Sequence, residues 1–296
     1  MTANNKNTLL PIFSLLISAT LWGMIWYPYR WLNGMGVSGL MSSLFTYGIA
    51  LLIGLPLYRN HIKTIIQAKW LWLAITISSG WTNIAYVLAV INGEVVRVSL
   101  LFYLAPLWTV LFARLLLGER LSRFGYFIIV FSLTGAIIML WQSDGRLPLP
   151  GNAAEWTGLS AGISFAFTNV LSKKADMLSI EAKSIGIWVG GTLVSLPLLL
   201  LHPAVFTAWA TYTPLMWGIL FVLALAMIAV TLFMQYGLIH VAANRAIVIL
   251  LFELIVAAIS AYFLAGESLV GKEWLGAAMI MAASLFSGYL DKKAVV

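Results

Sequence analysis

Cysteine is absent from this 296-residue chain, which removes disulfides, thiolate nucleophiles and thiolate-held metals together. Histidine is nearly so: His61 and His202 lie between apolar runs and His240 closes one, none of them beside clustered carboxylates, so no metal centre is supplied. The largest deficit is charge. Asp, Glu, Lys and Arg make up 9% of the residues, against roughly a quarter in soluble domains. With 62% hydrophobic residues and a mean hydropathy of +0.98, the chain calls for a lipid bilayer as its partner. A net charge of +7 does not make it a nucleic-acid binder, because the basic residues are scattered among loops rather than gathered into a stripe.

What is present is a series of apolar runs, each about 20 residues long, the length at which a helix crosses a hydrocarbon core. They predict spans near 9–29, 38–58, 70–91, 97–117 and 122–141, then 155–174, 183–201, 214–239, 245–265 and 270–289. The first run continues through Trp22 and Trp26 to Tyr29 with no small-residue cleavage site behind it, and is read as a mature helix. The connection from Gln142 to Glu155, with Pro148, Pro150 and Gly151, is the natural seam. With the N-terminus inside, thirteen of the seventeen Lys and Arg residues fall on the cytoplasmic side. The four outside are Arg30, Arg97, Arg146 and Lys272. Excess basic residues in cytoplasmic loops orient membrane proteins, so both termini are expected inside.

Gly118-Glu119 and Gly266-Glu267 are one motif written twice, 148 residues apart, which is half the chain; the same offset superposes Arg97 on Arg245. Two copies of an odd number of spans, residues 1–148 and 149–296, enter the membrane from opposite sides, so the repeat is expected to be inverted. Each glycine can end a helix in a left-handed conformation, and each glutamate can begin the next helix near its positive dipole end. The motif is therefore read as helix punctuation rather than as a substrate site.

Polar side chains at membrane depth must be paired or must face water, and they locate the candidate cavity. Ser79, Thr82, Asn83 and Tyr86 recur on one helix face. Ser99, Tyr103 and Pro106 follow the same period, with Pro106 expected to kink its helix and gate one side. The first span adds Ser18, Trp22 and Trp26, the sixth Ser160, Ser164, Thr168 and Asn169, and the eighth Thr231 and Gln235. Hydroxyl residues of this kind also serve close helix packing. Trp26, Tyr27 and Trp31 read as interfacial anchors, and Trp81 and Trp188 as lipid-facing or core packing as readily as pocket lining. Trp22, Asn83, Tyr86, Tyr103, Asn169 and Gln235 are the expected substrate-binding residues, with Gly190 and Gly191 permitting close helix sliding. Glu253, the one acidic residue well inside a span, is either a proton-coupling carboxylate or a clamp between two helices.

The segment Tyr103-Leu104-Ala105-Pro106-Leu107-Trp108-Thr109, running into Leu116-Leu117-Gly118-Glu119-Arg120-Leu121, together with ten spans in two halves, resembles the EamA-type members of the drug/metabolite transporter superfamily. Within it the chain is most similar to the YddG-type exporters of aromatic and other neutral amino acids. That resemblance implies an all-α basket of ten helices in two inverted five-helix repeats. It further implies a bacterial inner-membrane location, a central cavity, alternating access, a small-molecule substrate and no cofactor. The family pattern in the ninth span reads Glu-Pro; Glu253 matches it and Leu254 departs from it, which puts a kink there in question. A secondary exporter of amino acids or related metabolites is the expected function. A multidrug or nucleoside exporter of the same fold is the rival. A channel lacks a ring of like charges, and an intramembrane enzyme lacks a nucleophile–base pair.

Overall fold

The computed structural model describes residues 6–92, 98, 101–141, 150–201, 203–265 and 271–286. Helices dominate it, and no strand occurs among the described residues. They are α1 (Lys6–Gly34), α2 (Gly39–Leu57), α3 (Lys69–Asn92), α4 (Ala105–Leu117), α5 (Arg123–Leu140), α6 (Ala153–Lys174), α7 (Ile180–Leu200), α8 (Pro214–His240), α9 (Ala243–Leu250), α10 (Phe252–Ala265) and α11 (Gly271–Phe286). Short helical turns lie at Arg59–His61 and Ile62–Gln67, and at Pro203–Thr207 and Ala208–Thr211. By length and composition six stretches suffice to cross a membrane: Leu9–Gly34, Gly39–Leu57, Lys69–Ala89, Ile180–Leu200, Pro214–His240 and Ala243–Leu264. Ala105–Leu117, Arg123–Ile138 and Trp274–Ala283 are shorter apolar helices.

Local chemistry sets the starts. Ser38, Ser122 and Ser179 accept the backbone N–H groups of Met41, Gly125 and Ala182 at the first turns of α2, α5 and α7. Asn152 caps α6 through the Glu155 N–H, while the Glu155 carboxylate accepts from Gly151 and from the Asn152 side chain. Gly118 closes α4 at φ 70°, as its left-handed role requires. Glu119, however, does not begin the next helix. Its carboxylate accepts from the N–H groups of Ala243 and Asn244 at 3.1 and 3.4 Å and from Asn244 Nδ2 at 3.0 Å, so it caps α9, in the other half of the chain. Those N–H groups have no partner of their own at a helix start. The second copy of the motif, Gly266-Glu267, lies outside the described residues, as do Ser99, Arg97, Arg146 and His202.

Two expected spans are interrupted. Ahead of α4 the chain turns at Tyr103-Leu104, where the Leu107 N–H reaches Leu104 O. Leu251 separates α9 from α10, with the Leu254 N–H on Leu251 O. Both are tightened i→i+3 turns. Pro106 thus sits in the first turn of a helix, where its missing N–H costs nothing, rather than kinking a continuous one. The second break forms without any proline, where α1 comes closest: a Cβ on Gly23 would stand 2.7 Å from Glu253 O.

Small residues allow the other close crossings, as expected of helices packed in lipid. α3 lies against α6 and α7, α1 against α8 and α10, α2 against α7 and α8, α4 against α6, and α5 against α11. At the α3–α7 crossing a Cβ on Gly190 would meet Thr76 O at 2.0 Å, and one on Gly80 would meet Gly190 O at 2.5 Å. The fully buried Trp188 ring fills the space beside Gly54 and donates to Thr231 Oγ1 at 3.2 Å. Trp26 does not act as a simple interfacial anchor, since its Nε1 donates to Ser260 Oγ at 2.9 Å. At one pole Leu116, Leu171, Ala175 and Leu178 pack with Ala68, and Leu116 and Leu117 also pack with Val170 and Ala243; at the other Val37 and Leu40 pack with Val205 and Tyr212.

Candidate functional site

The polar face of α3 survives intact in three dimensions: Ser79, Thr82, Asn83 and Tyr86 all line one cavity in the middle of the helix bundle. Trp22 of α1, Asn169 of α6, Gln235 of α8 and Glu253 of α10 join them in its polar wall, with Thr168 and Thr231. The cavity has a volume of about 100 Å³, room for several waters or the core of a small solute.

Most hydroxyls near it are occupied with packing. Ser164 donates to Ser78 O and Thr168 to Ser78 Oγ, joining α6 to α3 at 2.8 and 2.7 Å. Ser18 reaches Val230 O at 3.4 Å. The amides differ. Asn83 Nδ2 donates to Tyr47 Oη at 3.2 Å, but Asn83 Oδ1, both amide atoms of Asn169, Gln235 Oε1 and Trp22 Nε1 are buried with no protein partner. Asn169 and Gln235 are 2% and 1% exposed. Folding rarely leaves such groups unpaired, because each costs about 1–3 kcal/mol when desolvated. A cluster of them around one cavity is what a polar solute requires of its binding wall.

Tyr103 is buried behind the wall and does not itself line the cavity; its hydroxyl donates to Glu253 Oε1, which does, at 2.9 Å. That bond joins the two helix interruptions to one another. An aromatic group adjoins it: the Phe102 ring lies 5.0 Å from Tyr86, 5.4 Å from Tyr103 and 5.3 Å from Phe165, centroid to centroid. Pro106 is buried below the turn and does not line the cavity.

Reading the chain alone overlooked Tyr47 of α2 and Ile187 of α7, and also Phe102, Phe165, Val230 and Met234, all of which line the cavity. Tyr47 carried a usable signal, a phenol in the polar run Ser42-Ser43-Leu44-Phe45-Thr46-Tyr47; Ile187 carried none. Gly191 seats the Tyr47 ring, which would lie 2.5 Å from an added Cβ. Trp81 is 43% exposed on the outer surface and bonds Ser160, while Trp188 belongs to the core. Among the described residues no group of His, Asp and Glu is placed to hold a metal ion.

The sequence profile of the EamA-like transporter family matches this chain twice, over residues 9–141 and 152–289. An uncharacterized transporter of Pseudomonas aeruginosa is 31% identical over 113 residues, 38% of this chain and 35% of that protein, so the match spans about a third of its length. The S-adenosylmethionine uptake transporter of Rickettsia prowazekii is 25% identical over 241 residues, covering 80% of this chain and 77% of its own. One solved crystal structure superposes with a TM-score of 0.75 over 97% of this chain and 98% of its own, at 16% identity, a likeness of fold.

Proposed function

Because the chain belongs to the EamA-like transporter family of the drug/metabolite transporter superfamily, and is a membrane transporter rather than an enzyme, we propose that it exports aromatic and other neutral amino acids by alternating access around the central cavity. The carrying observation is the set of unpartnered polar atoms on Trp22, Asn83, Asn169 and Gln235 beside the Tyr86–Phe102–Phe165 rings. Neutral donors and acceptors beside aromatic surface suit a small zwitterion with an apolar side chain.

The architecture proposed is ten spans in two inverted halves, residues 1–148 and 149–296. Exchange of the halves supports it: the packing of α1 on α8 maps onto that of α6 on α3, and α1 on α10 onto α6 on α4. The pairs α2 with α7 and α5 with α11 map onto themselves. The two interruptions, at Tyr103-Leu104 and Leu251, also stand one repeat offset apart. A substrate site between such halves, at broken helices, is a recurrent transporter design. The termini are proposed to face the cytoplasm of a bacterial inner membrane. Arg59, Lys63, Lys69, Arg114, Arg120, Arg123, Lys173, Lys174, Lys183 and Arg245 gather toward one pole, which supports that side as cytoplasmic.

Proteoliposomes holding the purified protein should accumulate labelled phenylalanine, and excess unlabelled tyrosine or leucine should compete. Alanine at Tyr86, with Tyr103→Phe, should reduce that uptake; unchanged export of every amino acid tried would defeat the site assignment. A second reading, a carrier of adenosine-bearing cations, draws on the substrate for which the Rickettsia relative is named and on the single carboxylate in the wall. Uptake of labelled S-adenosylmethionine with no amino-acid competition would favour it.

A further inference from the structure

Glu253 is the single charged side chain among those lining the cavity; no Lys, Arg or His side chain of the described residues joins it there. Its carboxylate accepts the hydrogen bond of the neutral Tyr103 hydroxyl. Among the described residues nothing in the wall balances its charge.

Beside it stands the aromatic group. Phe102 and Phe165 line the cavity with Tyr86, and the same cluster packs against Leu254, Ile255 and Phe252 on either side of Glu253. Aromatic faces attract cations, and more strongly away from bulk water. The groups in the wall that lack partners, on Asn83, Asn169, Gln235 and Trp22, are all neutral. The wall thus offers one carboxylate with aromatic surface beside it, and otherwise hydrogen bonds without charge. An anionic group entering it meets the repulsion of that carboxylate and, among the described residues, no counter-ion, and a low local dielectric magnifies both effects.

We infer that Glu253 and the adjoining aromatic wall form the recognition site for an organic ammonium group, so that solutes are read through their ammonium end and anionic metabolites are refused. The inference rests on the central cavity being the substrate site. It gives Glu253 a role in binding, distinct from proton coupling or from clamping helices. It also ranks ligands in an order that an ordinary amino-acid site would not: an aromatic amine without a carboxylate binds at least as well as the parent amino acid, because the carboxylate finds only neutral donors.

The test compares three ligands sharing one phenyl body, namely phenethylamine, phenylalanine and 3-phenylpropionate. Binding is read as the thermal shift of the detergent-purified protein, and transport as uptake of labelled phenylalanine into proteoliposomes. The expected result is stabilisation by the amine at or below the concentration that phenylalanine needs, with no stabilisation by the acid at tenfold higher concentration. Glu253→Gln, which can still accept the Tyr103 hydrogen bond, should raise the amine's half-effect concentration at least tenfold and abolish the preference for amine over acid. Glu253→Asp should keep that preference.

Stabilisation by the acid equal to that by the amine overturns the inference, as does a Glu253→Gln protein that retains the amine preference. Should Glu253→Gln fail to fold, the wild-type ligand order still decides. If the amine binds as expected but phenylalanine is not transported, the ammonium site stands and the amino-acid reading falls. If phenylalanine is transported without any ammonium preference, the reverse holds.

Discussion

Asn169 holds both amide atoms in the cavity wall without a protein partner, at 2% exposure. Its removal therefore relieves a desolvation cost while deleting the ligand contact proposed for it. Asn169→Ala should leave the thermal midpoint in detergent unchanged or raised, and should raise the KM for the transported solute about five- to thirtyfold, the worth of one or two hydrogen bonds at ~1 kcal/mol each. A lowered midpoint with unchanged KM would mean that Asn169 braces the fold instead. Glu119 should behave in the opposite way. Its carboxylate caps α9 from the other half of the chain, so Glu119→Ala should cost about 0.5–2 kcal/mol of stability, seen as a lower unfolding midpoint. The Glu119 carboxylate was recognisable as punctuation from its place after Gly118, but not its target, because the partner lies 124 residues away and no local rule names a distant helix start.

Broken helices are the distinctive elements. Leu254 stands at the position where the first half has Pro106, in the first turn of α10, and its N–H makes one short-range bond to Leu251 O. Proline in a first turn is tolerated, whereas in a helix interior it costs about 3 kcal/mol or more. Leu254→Pro should therefore express and purify as a folded protein, and Ile259→Pro, a full turn further along α10, should not; chromatographic monodispersity reads both. At the α3–α7 crossing Gly190→Ala places a methyl 2.0 Å from Thr76 O. Backbone cannot yield as a side chain can, so the helices must part, at a cost of about 1–3 kcal/mol. Loss of thermal stability in that variant, larger than in Gly218→Ala where nothing lies within 4 Å of the added Cβ, checks it. Apolar runs announced most of these helices, and the Leu251 break was invisible because no proline or glycine marks it; the close approach of α1 through Gly23 accompanies it instead.

For the whole molecule, the absence of cysteine turns orientation into a clean measurement. A membrane-impermeant maleimide applied to intact cells should label Ala210→Cys, at an exposed site on the pole with Val37 and Tyr212. It should spare Lys63→Cys and Lys174→Cys, exposed near the opposite pole, until the membrane is opened. The reverse pattern would invert the proposed topology.

Composition and the lengths of apolar runs determined that this chain lives in a bilayer and is helical, because a bilayer tolerates few charges and demands that every backbone group be bonded within its own segment. The 3.6-residue period likewise placed Ser79, Thr82, Asn83 and Tyr86 on one face before any fold was known. Which deep polar groups are bonded and which are not was decided by tertiary structure alone. Ser164 and Thr168 turn to Ser78, Trp26 to Ser260 and Trp188 to Thr231, while Asn169 and Gln235 find nothing. Satisfaction of a hydrogen bond depends on the neighbour's position in space, and periodicity along one helix carries no information about the helix opposite.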